Sequence, residues 1–180
     1  MKLNQTCQNT WQKRQKVQHT LAVLFLALAA SNVGATELPC RDAGYRDFDF
    51  WIGRWQVSTA EGAVIGHNHI SSIAGGCGLM EEWSGADGGN GKSLIVYLPE
   101  HRQWRQLWTA SSGEHSDRTG GASADGMVLG DPPGAPHQGR DILRAVSPDE
   151  LRQTEQVSED GGRHWTTVFT GIYRRLPDQP

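Results

Sequence analysis

Lysine is nearly missing from this chain beyond residue 35, where Lys92 stands alone. No window of useful length carries a helical period, which argues against a helical or mixed fold. The longest apolar run, Leu21–Ala30, is half of what a helical bilayer span needs, so the rest of the chain offers no helical anchor. Gly-x-Ser-x-Gly, a phosphate loop and a dinucleotide fingerprint are all missing, which removes the common signatures of nucleophile-elbow hydrolases and nucleotide-dependent enzymes. Cysteine occurs three times, at positions 7, 40 and 77, too sparsely for a disulfide scaffold or a zinc finger.

What is present starts with an export pattern. Lys2, Lys13, Arg14 and Lys16 precede the apolar run without an acidic residue between them, and Val33-Gly34-Ala35 supplies small residues for cleavage. Residues 1–35 therefore read as a cleaved signal peptide, 36–47 as an N-terminal lead, 48–176 as one domain and 177–180 as a tail. A periplasmic or secreted location follows. Cleavage takes four of the 17 basic residues and none of the 20 acidic ones, leaving 13 against 20 and a net charge of −7. Nucleic acid and anionic membrane surfaces are poor partners for such a chain. Cleavage also removes Cys7 and leaves Cys40 and Cys77, which in an oxidising compartment pair as a disulfide. In the loop-entropy model that bridge contributes roughly 3–4 kcal/mol.

From Gly53 onward, short alternating runs recur between turn residues. Ten strands are expected, at 53–59, 63–73, 77–84, 92–98, 103–110, 114–119, 127–130, 140–146, 151–158 and 163–174. Glu61-Gly62, Ser112-Gly113, Asp125-Gly126 and Asp160 to Gly162 are among the turn signals, and "DPPGAPHQG" (Asp131 to Gly139) is too rich in proline to pair. Nearly every connection is a short hairpin, so the expected fold is all-β: a single antiparallel up-and-down meander of about ten strands that closes into a barrel and removes its own edges. Such a barrel holds either packed side chains or one small ligand. The opening "FDFWIGRWQV" (Phe48 to Val57) lacks period-two alternation at first, so Phe48, Phe50, Trp51 and Ile52 are expected to fold as a tight turn that closes the barrel floor, after which Trp55 and Val57 face one way and Gln56 and Ser58 the other.

"FDFWIGRWQV", "GGCGLMEEWSG", "GKSLIVYLPEHRQWRQLW" and "LRQTEQVSEDGGRHWTTVFTGIYRR" together resemble, in order, the bacterial secreted family catalogued as domain of unknown function 1579. The resemblance spans nearly the whole mature chain and implies a lipocalin-like, calycin-type barrel similar to the fatty-acid-binding and nitrobindin folds. It brings no established reaction. Through nitrobindin it implies haem as one possible cofactor, whose axial ligand would come from His67, His69, His101, His115, His137 or His164.

The strongest binding signal is "RQWRQLW". Trp104, Gln106 and Trp108 share one face of a strand, and the four-residue turn before it pairs Leu98 with Gln103, hence Tyr97 with Trp104 and Ile95 with Gln106. An aromatic wall with a central amide is the make-up of a ligand pocket. On the ninth strand Leu151, Gln153, Glu155 and Val157 alternate with Arg152, Thr154, Gln156 and Ser158, so a polar set points inward on either register. Buried charges need partners, and Arg105, Arg144 or Arg152 is expected to pair with Glu81 or Glu155.

His67 and His69 share a face of the second strand. If Ile73 pairs with Cys77, His69 lies opposite Glu81 and His67 opposite Trp83, a set suited to a divalent metal or to acid–base work. A turn one residue longer brings Glu82 to that face instead. The His-x-His is not a cupin motif, since Ile73 and Ala74 stand where the cupin glutamate would be. "SEDGGRHW" (Ser158 to Trp165) has the spacing of the sialidase Asp-box, and a single copy reads as a hairpin turn.

The leading expectation is thus an exported monomer or homodimer binding a small, partly apolar molecule. Trp83, Trp104 and Trp108 form the walls, Gln106 and Gln153 the orienting amides, and Glu81 with Glu155 and an arginine the polar end, with no required cofactor. The alternatives are a metal-assisted or general-base enzyme using His67, His69 and Glu81, and an envelope interaction module with a filled barrel and function in its outer loops.

Overall fold

A computed structural model describes residues 40–177. Residues 1–35, expected to be a signal peptide, the first part of the expected lead and the end of the tail lie outside the described residues. Ten antiparallel strands run in sequence order: β1 (Gly53–Thr59), β2 (Val64–Ile73), β3 (Gly78–Gly85), β4 (Asn90–Leu98), β5 (Gln103–Ala110), β6 (His115–Ser123), β7 (Gly126–Gly130), β8 (Gln138–Ser147), β9 (Glu150–Ser158) and β10 (Thr166–Arg175). β1 pairs with β10 from Trp55↔Arg175 to Thr59↔Gly171, which closes the barrel. Bulges in β1 between Val57 and Ser58, in β8 between Ala145 and Ser147, and in β10 between Thr167 and Phe169 bend the sheet toward closure.

In an up-and-down barrel the hairpins alternate between two ends. One end carries the β2–β3, β4–β5, β6–β7 and β8–β9 turns together with the N-terminal lead, and it is plugged. Two short 3-10 turns, Ala43–Arg46 and Asp49–Trp51, fold across it. Phe48 and Trp51 are buried there, and Phe48 meets Trp104 edge-on with ring centroids 5.1 Å apart. Gly53, at φ 136, swings the chain from this plug into β1, a conformation that favours glycine. Arg175 pins the plug: its guanidinium donates to the carbonyls of Ile52 (2.7 Å), Phe50 (3.3 Å) and Pro148 (3.0 Å) and lies 4.1 Å above the Trp55 ring. The Cys40–Cys77 disulfide ties the lead to the β2–β3 turn at the same end, as the cysteine count implied.

The β4–β5 register is the expected one, with Leu98↔Gln103, Tyr97↔Trp104 and Ile95↔Gln106. The β2–β3 register is not. Ile73 pairs with Gly78 rather than Cys77, because Ala74–Gly76 forms a 3-10 turn whose residues all have positive φ and which takes up one more residue. Every partner on β3 therefore moves by one. His69 lies opposite Glu82 and Asn68 opposite Trp83. The grouping of His67, His69 and Glu81 falls with the register: both histidines are exposed on the outer face, while Glu81 is buried inside.

Candidate functional site

The inward positions fall into layers. At the plugged end Trp51, Trp55, Trp104 and Leu129 pack as core. Above them lies a polar layer that spans the barrel. Glu81 accepts from Asn68 Nδ2 (2.7 Å), Ser93 Oγ (2.6 Å) and Gln106 Nε2 (3.0 Å), so three neutral donors from three strands hold one buried carboxyl. Facing it, Tyr173 donates its O–H to Gln153 Oε1 (2.5 Å), Gln153 Nε2 donates to Asp141 Oδ1 (3.1 Å), and Arg118 Nη1 pairs closely with Asp141 Oδ2. Arg118 also reaches Asp131 Oδ1 (3.3 Å) through Nε, and its Nη2 stands 3.7 Å from Glu155 Oε1. Asp131, the first residue of the proline-rich loop, also accepts from the Gly139 amide (2.6 Å), so this layer holds both ends of that loop.

Above the polar layer the barrel is open. A cavity of about 200 Å³ lies between the polar groups and a rim of Ile65, Trp83, Trp108 and Phe169. The two indoles can lie against the wall because glycines sit beneath them: a Cβ on Gly66 would stand 2.6 Å from Trp83, and one on Gly91 only 2.3 Å from Trp108. A larger residue at either place would drive its indole toward the axis and fill the opening.

The electrostatics of this layer follow from burial. Desolvation pushes the Glu81 carboxyl above its ordinary value of 4.5, and the hydrogen bonds from Ser93, Asn68 and Gln106 recover only part of that cost. Burial and then the Asp141 charge raise Glu155 as well, with Arg118 pulling the other way. Burial alone would lower Arg118, but Asp141 and Asp131 outweigh it and hold the guanidinium firmly charged. Burial, followed by the Glu81 charge, holds the Tyr173 phenol far above its ordinary range.

A raised carboxyl pKa means that the native state binds more protons than the unfolded chain. The Glu81 cost is therefore absent below 4.5 and grows as pH rises through the raised value. Glu81→Gln is expected to leave stability at pH 7 equal to or above that of the parent, and to flatten the decline in urea midpoint between pH 5 and pH 7. An unchanged slope together with a lower midpoint at pH 7 would contradict this assignment.

The structure thus brings Glu81, Trp83, Gln106, Trp108, Gln153 and Glu155 to one cavity, while Trp104 sits below it in the core. None of the arginines expected to pair inside does so. Arg105 is outside, forked onto Asp117 at 2.8 and 2.6 Å; Arg144 bonds the Ala124 and Asp125 carbonyls; Arg152 is exposed. The physical reason is parity, since Arg105 alternates with inward Trp104 and Gln106. Arg118, Asp141, Asn68, Ser93 and Tyr173 were missed. The Ser112-Gly113 turn was the available signal for Arg118, because it sets Trp108 opposite Ser116 and Gln106 opposite Arg118.

His69 stands 3.6 Å from Glu82, and Glu82 is held mainly by Lys92 at 2.5 Å. No group of three or more histidine, cysteine, aspartate or glutamate side chains is placed to hold a metal ion among the described residues. The Asp-box residues form a turn: Asp160 Oδ1 accepts from the Arg163 and His164 amides (3.0 and 2.9 Å), Ser158 Oγ accepts from the Gly162 amide (2.8 Å), and Trp165 Nε1 donates to the Gly162 carbonyl (3.0 Å).

No family model matches the chain, and no curated protein matches it. Among solved structures the chain is similar to a de novo designed fluorescence-activating β-barrel, with 15% identity over 72% of this chain and 98% of the other and a TM-score of 0.39. It is also similar to EF1p2_mFAP2b bound to DFHBI, with 18% identity over 74% of this chain and 100% of the other and a TM-score of 0.34. At these values neither likeness carries an argument, and the ten-stranded antiparallel barrel rests on its own strand pairing.

Proposed function

We propose that this protein binds a small, partly apolar molecule inside the barrel and acts as a carrier or receptor. The observation that carries the reading is the asymmetry of the interior. One end is sealed by aromatic packing, while the other keeps a cavity of about 200 Å³ between three aromatic rings and a hydrogen-bonded polar layer. A barrel built only for stability would fill that space, since a cavity forfeits the contacts of its lining. Apolar walls with a few oriented polar groups are what small-molecule sites show.

Calorimetric titration with a panel of single-ring aromatic compounds tests the reading. Some members are expected to bind, and Trp108→Ala to weaken them by about tenfold or more, because the indole is a wall of the cavity. A panel that leaves the protein silent would overturn it.

Family membership is proposed on the four motifs quoted above. We also propose that the barrel works outside the cytoplasm, as a monomer or homodimer. The pattern in residues 1–35 supports export, as does the bonded Cys40–Cys77 pair, which persists in oxidising compartments. Recovery of a periplasmic species that begins after Ala35 is the corresponding test.

A further inference from the structure

The charges around the cavity are unequal. Glu81, Glu114, Asp141 and Glu155 line it as acids, and Arg118 is the one basic residue in its lining. An anionic ligand would need positive charge to spare, and the single charge of Arg118 is already shared among three carboxylates: Nε donates to Asp131, Nη1 donates to Asp141, and Nη2 is turned toward Glu155. Of these carboxylates Glu155 is served least, because 3.7 Å is too long for a hydrogen bond.

A second observation points the same way. Asn68 is 2% exposed and lines the cavity, and its Oδ1 finds no donor among the described residues. The polar groups left open here are thus mostly acceptors: the Glu155 and Glu114 carboxylates and the Asn68 amide oxygen. Trp51 Nε1, which reaches the same cavity from the plug, is a buried donor without a partner among the described residues.

The aromatic rim completes the pattern. Phe169 pairs with Glu155 across β9 and β10, which puts an aromatic residue beside a carboxylate that Arg118 approaches only to 3.7 Å, and Trp83 and Trp108 stand on the same cavity. A cation held over ring faces and next to a partly desolvated carboxylate gains from both.

We propose that the ligand of this cavity is a compact organic cation, an aryl- or alkyl-ammonium compound, with its ammonium group at Glu155 and its apolar part among Trp83, Trp108 and Phe169. The proposal rests on the reading of the cavity as a small-molecule site. Burial and the Asp141 charge both disfavour the ionised form of Glu155, and Arg118 offsets them only in part, so a bound cation supplies charge that the apo interior lacks. The mature chain's net charge of −7 favours the approach of the same class of ligand.

Three near-isosteres separate the outcomes: 2-phenylethylamine, 2-phenylethanol and phenylacetate, titrated calorimetrically into the mature protein at pH 7. The amine is expected to bind at least about tenfold tighter than the alcohol, and the acid more weakly than both. Glu155→Gln should remove most of the amine's advantage and leave the alcohol's affinity within about twofold, a split that simple unfolding would not produce. Alcohol or acid binding as tightly as the amine would overturn the cation assignment while leaving the cavity's role standing. Silence from all three would overturn both.

Discussion

Replacing Arg118 with methionine is expected to cost the barrel about 3–5 kcal/mol at neutral pH, the range for removing one partner of a buried ion pair. The side chain is 14% exposed and is the shared cation of Asp131, Asp141 and Glu155. Methionine fills similar volume, so the loss is electrostatic rather than a cavity effect. Its sign with pH is fixed by that origin. Without Arg118 the native-state pKa of Glu155, already raised by burial, rises further, the native state then binds more protons, and the loss shrinks as pH falls toward the ordinary carboxylate range. Urea denaturation at pH 7.5 and pH 5 checks this. Arg118→Lys should fall between parent and methionine, because one ammonium cannot serve three carboxylates as a planar fork does. A loss below about 1 kcal/mol with no pH dependence would be the signature of an exposed pair and would contradict the buried network.

Trp104→Ala is expected to cost about 3–5 kcal/mol for a different reason, the cavity left by a large side chain at a site that cannot collapse. Trp104 is 1% exposed, packs on Phe48 and on Tyr97 at 5.5 Å, and donates Nε1 to the Gly44 carbonyl at 3.1 Å. It is the joint between the plug and the staves. Hydrogen exchange should therefore show the plug, residues 43–52, losing protection before the strands far from it. Trp108, two residues along the same face, is only half-buried, and its loss should be felt in ligand affinity more than in stability. If Trp104→Ala cost no more than Trp108→Ala, the division of the interior into sealed floor and open mouth would be wrong.

The contrast between these two tryptophans shows how much the chain's alternation reveals. Short strands with turn residues between them made the meander legible, and the four-residue turn before Gln103 made the β4–β5 register legible to the residue. That register placed Trp104, Gln106 and Trp108 on the inner face. It could not show that Trp104 sits at the floor and Trp108 at the mouth, since depth in a barrel depends on where the N-terminal plug docks.

The histidine grouping failed at a single turn. Ala74 adopts φ 50, a left-handed conformation that alanine rarely takes, so nothing in "IAGGCG" announced the extra residue. One residue of slip then moved Glu81 from the histidine face to the interior. Arg118 was hidden for another reason. It lies in "HSDRTGG", among polar residues that read equally well as an outer face, and only its pairing opposite Gln106 reveals it as the interior cation.

The most direct test of a ligand cavity under the aromatic rim is the set of tryptophan indole N–H resonances, followed by NMR while 2-phenylethylamine is added to the purified protein. The account predicts saturable shifts at Trp83 and Trp108, with Trp165, which packs in the Asp-box turn, left unmoved. Resonances that stay in place at every tryptophan, or that shift at Trp165 alone, would contradict it.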